Sequence, residues 1–368
     1  MLASDLDRRP QETALAWTRP APPARLAGLA TVVPAHDLPQ QAARAAAAEA
    51  FAGSFADLAR LLPIFDNSGI ERRQSCRPLE WHRRGPGFAE RNAAFLESAE
   101  ELLAEATLRA AAAADLPLAA IDQVVAVCST GIATPSLDAR IAERLGLRAD
   151  VVRTPIFGLG CGGGVMGLAR AAALARAEPG SRVLLLVVEL CTLAFRLSDK
   201  SKANLVASAL FGDGAAAAIL STEGDGPALL ASGEHRWSGS LDVMGWTVED
   251  DGLGVLFSVR VPEVVRQGMR AATDEFLAGQ GLTLAEIDRL ISHPGGAKVV
   301  QALEQCLGLD GPALEDTLAV LREHGNMSAV SVLFVLERAL AAPDWRRGLM
   351  TGMGPGFSAG FALLDRQG

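Results

Sequence analysis

The chain has 368 residues, of which 49% are hydrophobic and 21% charged, a composition that excludes a disordered tail or linker. Its 43 acidic and 34 basic residues give a formal net charge of −9, which argues against a nucleic-acid partner. No apolar run approaches the 20 or so residues of a membrane span, and no signal-peptide core is present. We therefore expect a cytoplasmic protein, and its five cysteines do not indicate a disulfide framework.

The alternation of apolar strand-like runs with helical stretches predicts an α/β fold. Four prolines within residues 1–25 predict a loose N-terminal arm there. Residues 26–33 have the pattern of a first strand. Residues 87–114 have the pattern of a long amphipathic helix.

A weak internal repeat is the most useful feature of the organisation. The pattern Leu-Ala-X-Ile-Asp begins at Leu118 and again at Leu284. Each copy follows a predicted helix and is followed by a strand, a turn, a helix and a second strand. In the first copy the following strands and helix are residues 124–127, 165–177 and 183–188; in the second, after a helix at 264–277, they are 290–291, 329–340 and 348–351. This shared order predicts two similar halves, residues 26–222 and 223–368.

Cys161 lies in the glycine-rich stretch 158–164, directly before an apolar predicted helix. The positive end of a helix dipole favours a thiolate, and glycines let backbone N–H groups approach a reacting carbonyl. We therefore predict that Cys161 is a nucleophile whose pKa lies well below that of a free thiol. The alternative is a small buried cysteine in a tight turn.

His293 and Asn326 lie at the ends of predicted elements in the second half. His293 follows a strand, where α/β folds place reactive groups, and Asn326 precedes a helix. Taken singly, they could be a core histidine and a helix N-cap. Together with Cys161 they supply a nucleophile, a base and a carbonyl-polarising amide. No metal-ligand spacing or phosphate-binding glycine motif is present, so we predict no metal site.

At these residues the sequence resembles the type III polyketide synthases, the chalcone and stilbene synthase family of thiolase-like condensing enzymes. The resemblance runs from about residue 26 to the C-terminus. It is carried by five segments in the family's order: GCGGG around Cys161, ALFGDGAAA at 209–217, HPGG at His293, GNMS around Asn326, and GMGPG at 352–356. The resemblance implies a thiolase-like five-layered αβαβα fold of two duplicated halves, assembled as a homodimer.

The resemblance also implies the chemistry. Cys161 resembles the residue that carries the starter acyl group and the growing chain. His293 and Asn326 resemble the pair that holds the malonyl thioester carbonyl, and His293 would also keep Cys161 as a thiolate. Malonyl-CoA would be the extender, and coenzyme A thioesters would serve as substrates with no further cofactor.

Four residues resemble cavity-shaping positions of the family. Phe211 and, less closely, Phe257 match the two phenylalanines between the entry tunnel and the cavity. Gly354 and Pro355 lie in the GMGPG loop, which resembles the wall that shapes cyclisation. For the two phenylalanines the alternative is an ordinary place in the core.

The thioester-carrier site departs from the plant pattern. Of three basic positions that hold coenzyme A phosphates in plant members, only Arg60 is basic here, and Pro63 and Asn67 occupy the others. Lys298, next to HPGG, could supply a replacement charge. The resemblance thus leaves two starter carriers open, coenzyme A and an acyl carrier protein.

Segments 201–206 and 241–246 resemble the bacterial alkylresorcinol and alkylpyrone synthases, which start from long fatty acyl thioesters. Cys191 is typical of bacterial members. Ala194 and Thr134 are small where plant enzymes carry Thr and Met, and we expect them to open an apolar tunnel. Because each buried CH₂ contributes ~0.8 kcal/mol, such a tunnel favours a fatty starter. The alternative is a pair of compensated core substitutions.

The predicted activity is therefore decarboxylative condensation of malonyl-CoA onto a long-chain acyl starter. The product would be an alkylresorcinol or alkylresorcylic acid after aldol closure, or an alkylpyrone after lactone closure. The alternatives are a ketoacyl synthase III-like enzyme that condenses once, a thiol hydrolase that uses the same residue types, and a condensing-fold scaffold without activity.

Overall fold

The computed structural model describes residues 22–258, 260–310 and 312–367. The predicted arm at residues 1–25 falls almost entirely outside these ranges. Its last two residues, Ala24 and Arg25, belong to the first strand instead. Among the described residues no helix is long and apolar enough to cross a membrane.

The described residues form strands and helices in alternation. The strands are β1 (Ala24–Val32), β2 (His36–Pro39), β3 (Arg72–Ser75), β4 (Gln123–Cys128), β5 (Val152–Phe157), β6 (Val183–Leu190), β7 (Asp213–Ser221), β8 (Ala228–Arg236), β9 (Met244–Glu249), β10 (Gly252–Phe257), β11 (Arg289–Ser292), β12 (Arg347–Gly354) and β13 (Ser358–Asp365). The helices are α1 (Gln40–Ala50), α2 (Pro63–Asp66), α3 (Leu79–Arg83), α4 (Phe88–Ala113), α5 (Leu137–Leu145), α6 (Gly163–Ala177), α7 (Lys202–Leu210), α8 (Val261–Ala278), α9 (Ala297–Leu307), α10 (Glu315–His324) and α11 (Ser331–Ala341).

Nine strands form one sheet in the order β11-β12-β13-β8-β1-β7-β6-β4-β5. The sheet consists of two half-sheets that meet between β1 and β8. At this junction the strands pair only at Ala24 with Leu229 and at Arg25 with Ala228. Beyond it they diverge, which leaves room for helices between the two half-sheets.

Helices α6 and α11 fill the space between the half-sheets, and α6 contacts strands of both. Helix α4 covers the outer face of the first half-sheet, and α8 with α9 covers the outer face of the second. The layers are therefore helix, sheet, helix, sheet, helix. This confirms the five-layered αβαβα thiolase-like fold predicted from the sequence.

The internal repeat has the same structure in both halves. Each Leu-Ala-X-Ile-Asp segment forms a 3-10 turn, at Leu118–Ala120 and at Leu284–Glu286, before a strand of the parallel pair β4–β6 or β11–β12. Asp122 accepts a hydrogen bond from the backbone N–H of Arg182 at 2.8 Å. Asp288 accepts the equivalent bond from Arg347, also at 2.8 Å. The repeated aspartate therefore ties the start of one parallel strand to its neighbour. The division into halves near residue 222 stays a prediction.

The predicted elements are confirmed, with ends that differ by a few residues. β1 begins two residues early, and α8 begins at Val261 instead of 264 because a proline is tolerated in the first turn of a helix. The helix expected at 329–340 consists of a 3-10 turn at Ser328–Val330 followed by α11.

The N-terminal ends of α6 and α11 meet at the centre of the molecule. A Cβ on Gly164, in the first turn of α6, would lie 2.2 Å from the carbonyl oxygen of Ala329. Only glycine permits this approach of one backbone to another. The contact brings the glycine-rich turn of the first half beside the Asn326 segment of the second.

Candidate active site

Cys161 lies in the 3-10 turn Gly160–Gly162, which leads directly into α6. The predicted position at a helix N-terminus is therefore confirmed. The end of β12 packs against this turn, because a Cβ on Gly354 would lie 2.2 Å from the carbonyl oxygen of Leu159. Pro355 follows it and borders the same cavity as Cys161. The GMGPG segment thus forms one wall at the nucleophile.

Asn326 links the nucleophile to the rest of the second half. Its Oδ1 lies 3.9 Å from the Sγ of Cys161 and accepts a hydrogen bond from the backbone N–H of Ser328 at 2.8 Å. Its Nδ2 donates to the carbonyl oxygen of Gly295, in the HPGG segment, at 3.3 Å. The amide therefore contacts both the turn of Cys161 and the loop of His293.

His293 directly follows β11, and its side chain is buried. Its backbone N–H donates to Thr351 on β12 at 2.8 Å, which holds the loop against the sheet. Within the described part of the chain neither ring nitrogen has a hydrogen-bond partner. Burial lowers the pKa of His293 to about 3, so the ring is neutral at pH 7, with one nitrogen that can donate a hydrogen bond and one that can accept.

Glu189, the last but one residue of β6, is a site residue that sequence reasoning missed. It is fully buried and accepts hydrogen bonds from the backbone N–H of Ser129 at 3.0 Å and from Oγ1 of Thr130 at 2.9 Å. The hydroxyl of Ser328 lies 3.4 Å away. Burial raises the pKa of Glu189 to about 7, although these bonds oppose the rise. A single acidic residue near the end of the otherwise apolar strand VLLLVVEL is the signal that could have indicated Glu189.

The prediction of a low thiol pKa is wrong for this structure. Burial raises the pKa of Cys161 to about 12. The hydrogen bonds of Ser328 and Asn326 lower it, while the nearby charge of Glu189 raises it further. The sequence argument counted the helix dipole and a charged His293, and it could not count the loss of water around the sulfur. Burial also leaves His293 neutral, so its ring supplies no positive charge to the thiolate. The unliganded pair is a thiol and a neutral imidazole.

A cavity of about 40 Å³ lies directly over Cys161, and we call it the nucleophile cavity. It brings together the predicted residues Cys191, Phe211, Phe257 and Pro355. The hairpin β9–β10 supplies its opposite side: Met244, Gly245, Trp246, Val255, Leu256 and Phe257. Sequence reasoning missed Trp246, whose ring centroid lies 6.4 Å from that of Phe211.

A larger cavity, of about 310 Å³, adjoins the nucleophile cavity and shares Cys191 and Phe211 with it. We call it the large apolar cavity. Its lining is mostly aliphatic and aromatic: Leu38, Ala43, Ala46, Ala47, Glu49, Ala50, Arg73, Leu79, His82, Arg83, Cys191, Thr192, Phe195, Leu197, Ala207, Ser208 and Phe211. Its volume lies at the lower end of the roughly 300–1,000 Å³ typical of small-ligand sites.

The two residues expected to open a tunnel lie elsewhere. Ala194 borders a separate cavity of about 20 Å³ together with Trp246, and not the large apolar cavity. Thr134 is exposed, in the loop after β4, and borders none of the cavities found among the described residues. The larger space next to Cys161 therefore lies past Cys191 and not at Ala194.

Arg60 and Lys298 are both exposed and border none of these cavities. Arg60 forms an ion pair with Asp57 at 3.7 Å. Lys298 lies in the first turn of α9. Their contact with coenzyme A stays a prediction.

Comparisons with known proteins identify the family of the chain. The model of the N-terminal domain of chalcone and stilbene synthases matches residues 77–224, and that of their C-terminal domain matches residues 237–364. The chain is 39% identical over 351 residues to the 1,3,6,8-tetrahydroxynaphthalene synthase of Streptomyces peucetius, covering 92% of each chain. It is 28% identical to an alpha-pyrone synthesis polyketide synthase-like protein of Mycobacterium tuberculosis, covering 96% of this chain and 95% of that one.

The solved structures include the 1,3,6,8-tetrahydroxynaphthalene synthase of Streptomyces coelicolor. It superimposes with a TM-score of 0.89 at 28% identity, covering 94% of this chain and 99% of that one. Sequence and architecture are therefore shared over nearly the whole length.

The effects of Glu189 and Ser328 on the Cys161 thiol lead to a prediction about its reactivity. Glu189→Gln removes a negative charge that disfavours the thiolate, so the pKa of Cys161 should fall. Ser328→Ala removes a hydrogen bond that favours the thiolate, so the pKa should rise. The measurement is the rate of alkylation by iodoacetamide from pH 6 to pH 11.

The control is Glu337→Gln, which removes a carboxylate bonded to Thr31 on β1, outside the site. It should leave the pH profile unchanged. Identical profiles for all variants would mean that Glu189 and Ser328 do not act on the thiol.

Proposed function

Because the chain belongs to the chalcone and stilbene synthase family, and so is a type III polyketide synthase that uses malonyl-CoA, we propose that it starts from a long-chain fatty acyl thioester. It extends this starter by repeated decarboxylative condensation and releases an alkylresorcinol, an alkylresorcylic acid or an alkylpyrone. The observation that carries the proposal is the large apolar cavity next to the nucleophile cavity.

The volumes of the two cavities support an acyl chain that extends from the nucleophile cavity into the large apolar cavity. The nucleophile cavity, about 40 Å³, holds little more than the reacting thioester. The large apolar cavity, about 310 Å³, begins at Cys191 and Phe211 and is lined by the alanines of α1 and α7. Each CH₂ buried there contributes ~0.8 kcal/mol, so a fatty chain gains affinity that acetyl lacks.

We assign loading to Cys161 and His293. The sulfur of Cys161 forms a bond to the starter carbonyl carbon while the bond from that carbon to the coenzyme A sulfur breaks. The thiol proton passes to a ring nitrogen of His293, which is neutral and unpartnered in the described structure. His293 then returns the proton to the departing coenzyme A thiolate, so the step is balanced.

We assign extension to His293 and Asn326. Loss of CO₂ from the malonyl group leaves an enolate whose oxygen needs hydrogen-bond donors. The Nδ2 of Asn326 now bonds to Gly295 beside His293, so an incoming carbonyl oxygen can replace that acceptor. The enolate carbon then attacks the acyl carbon on Cys161, and the sulfur leaves as the new C–C bond forms.

Two variants separate these roles. Cys161→Ala should abolish acyl loading and condensation, because the other described cysteines lie off this turn. Asn326→Ala should retain loading, while malonyl-CoA decarboxylation falls by roughly 10²-fold, the usual loss for one oxyanion donor. Radiolabelled acyl-enzyme and CO₂ release measure the two steps. Labelled Cys161→Ala, or equal loss of both steps in Asn326→Ala, would contradict the assignments.

Filling the large apolar cavity should shift the preference of the protein toward starters with shorter acyl chains. Ala207, on α7, borders it, and Ala207→Phe should shift kcat/KM from acyl-CoA starters of about twelve carbons toward short ones. The matched control is Ala194→Phe, which fills the separate cavity beside Trp246 and should leave the chain-length profile unchanged. Overpacking costs typically ~1–3 kcal/mol, which the fold should tolerate. A changed chain-length profile in Ala194→Phe but not in Ala207→Phe would mean that the acyl chain of the starter lies at Ala194.

A second candidate function follows from the relative that is 39% identical, named a 1,3,6,8-tetrahydroxynaphthalene synthase. That product carries no alkyl chain and would leave the large apolar cavity unused. Mass spectrometry after incubation with malonyl-CoA, alone and with an acyl-CoA ladder, distinguishes the two. It also detects a single condensation, the result expected of a ketoacyl synthase III-like enzyme.

We propose that a second copy of the chain pairs with strand β5. β5 is at the edge of the sheet, and its side chains Val152 and Phe157 are 56% and 60% exposed. Ile132, in the loop after β4, is 50% exposed. An apolar sheet edge of this kind readily pairs with another chain, and the same edge on both copies gives a two-fold dimer. The loop of Ile132 also carries Thr134, which this dimer would cover.

Phe157→Asp should therefore convert a dimer to a monomer, because it places a charge in the apolar contact. Sedimentation velocity measures the change. The control is Leu241→Asp, since Leu241 is 77% exposed but lies far along the chain from β5. Dissociation by Leu241→Asp alone would place the interface elsewhere.

A further inference from the structure

The hairpin β9–β10 borders the nucleophile cavity but stands apart from the nine-stranded sheet. It supplies six residues of the cavity lining, among them Trp246 and Phe257. Within the described residues its two strands pair only with each other. Val248, which precedes the tip of the hairpin at residues 249–252, is 88% exposed. Strand pairing with the sheet therefore does not hold this hairpin in the described structure, and its position depends on side-chain contacts.

The tip of the hairpin is bound by the buried side chain of Arg196, which is 4% exposed. Its Nη1 donates to the carboxylate of Glu249 at 2.7 Å and to that of Asp251. Its Nη2 donates to the carboxylate of Asp199 at 3.1 Å. One guanidinium thus joins two carboxylates of the tip to a third in the loop before α7.

Arg196 lies on a segment that is itself fixed to α7. Asn204, in the first turn of that helix, is 1% exposed. Its Nδ2 donates to the carbonyl oxygens of Arg196 at 2.8 Å and of Asp199 at 2.7 Å. Helix α7 leads into Phe211, which borders both cavities. The guanidinium is therefore fixed relative to the nucleophile cavity.

Arg196 differs from the second cation at the tip, Arg91 on α4. Arg91 donates to the backbone carbonyl oxygen of Asp251 and, at 2.7 Å, to that of Pro86. Among the described residues Arg196 is the cation that forms ion pairs with the carboxylates of the tip. Its hydrogen bond lowers the pKa of Glu249, which keeps that carboxylate charged at pH 7. Exposed ion pairs contribute little, whereas the loss of a buried cation from such a cluster leaves its acids unpaired and close together.

We propose that Arg196 is a positioning residue that holds the hairpin β9–β10 closed over Cys161 and so keeps water from the acyl thioester. In the open state, water would add to the acyl carbon and the bond from that carbon to the sulfur of Cys161 would break. This step releases a free acid and restores the thiol. Exclusion of water from an active site suppresses hydrolysis of this kind. The inference rests on the acyl-carrying role proposed for Cys161, but not on the identity of the starter.

Hydrogen exchange on the full chain tests whether Arg196 holds the hairpin. Arg196→Met removes the cation, and the double variant Glu249→Gln with Asp251→Asn removes the two carboxylates that it binds. Both variants should raise the exchange rates of the amides of residues 244–257 by at least roughly ten-fold, because a segment opens more often when its contacts are lost. Unchanged exchange in both variants would overturn the proposal.

The matched control is Asp250→Asn in the same tip. Asp250 is exposed and, in the described structure, forms no ion pair, so this variant should leave the exchange rates unchanged. If Arg196→Met does not fold, the double variant decides, because Arg196 then keeps its bond to Asp199. An equal rise in Asp250→Asn and in the double variant would mean that the ion pairs of Arg196 do not hold the hairpin.

The second readout is the fate of the acyl-enzyme. The protein is loaded with radiolabelled dodecanoyl-CoA, or with acetyl-CoA if dodecanoate is not transferred, and is then mixed with malonyl-CoA. In both hairpin variants loading should persist, while the ratio of free acid to condensed product rises at least roughly five-fold. General destabilisation would instead lower loading and condensation together, and an unchanged ratio would overturn the proposal.

The proposed function and this inference can fail separately. If the unmodified protein takes up no label from either thioester, the acyl-carrying role of Cys161 is wrong. Alkylation of Cys161 by N-phenylmaleimide, compared with the smaller iodoacetamide, then decides whether the hairpin is held closed. The ratio of the two rates should rise in the hairpin variants, and an unchanged ratio would contradict the role of Arg196.

Discussion

The structure depends on the contact between two backbones at the centre of the molecule. The first turn of α6 lies against the carbonyl of Ala329, at a distance that a Cβ on Gly164 would not permit. A similar contact places Gly354 against Leu159. Because the two backbones approach this closely at the turn of Cys161, the Cys161 thiol of the first half lies beside the Asn326 amide of the second.

This close packing also excludes water, which determines the electrostatics of the site. Glu189 and His293 are buried, and the pKa of each shifts toward the neutral form. Preorganised donors act strongly in such surroundings, since there is little solvent to reorganise when charge develops. A neutral resting state therefore suits an enzyme whose enolate intermediate carries the charge.

A second, larger cavity adjoins this site. Its walls are mostly aliphatic and aromatic, so they favour hydrocarbon. Cys191 and Phe211 line both this cavity and the one over Cys161. The two cavities are therefore separate spaces that share one boundary.

Much of the fold, and part of the candidate site, could be predicted from the sequence. The order of elements, the duplicated halves and the place of Cys161 before a helix follow from local periodicity and from glycine patterns, which depend on neighbours along the chain. His293 and Asn326 were found for the same reason, since strand and helix ends are local signals. The tertiary structure decided the rest. Trp246 borders the cavity over Cys161 because the β9–β10 hairpin packs against it, a tertiary contact that the local pattern does not indicate.

In the tertiary structure the larger apolar cavity lies past Cys191 and not at Ala194. The pKa of Cys161 is raised, whereas the sequence predicted that it would be lowered. Both outcomes depend on which distant residues pack together and how much water they displace. Burial is a property of the whole fold, whereas the helix dipole and the residue pattern belong to a short stretch of chain.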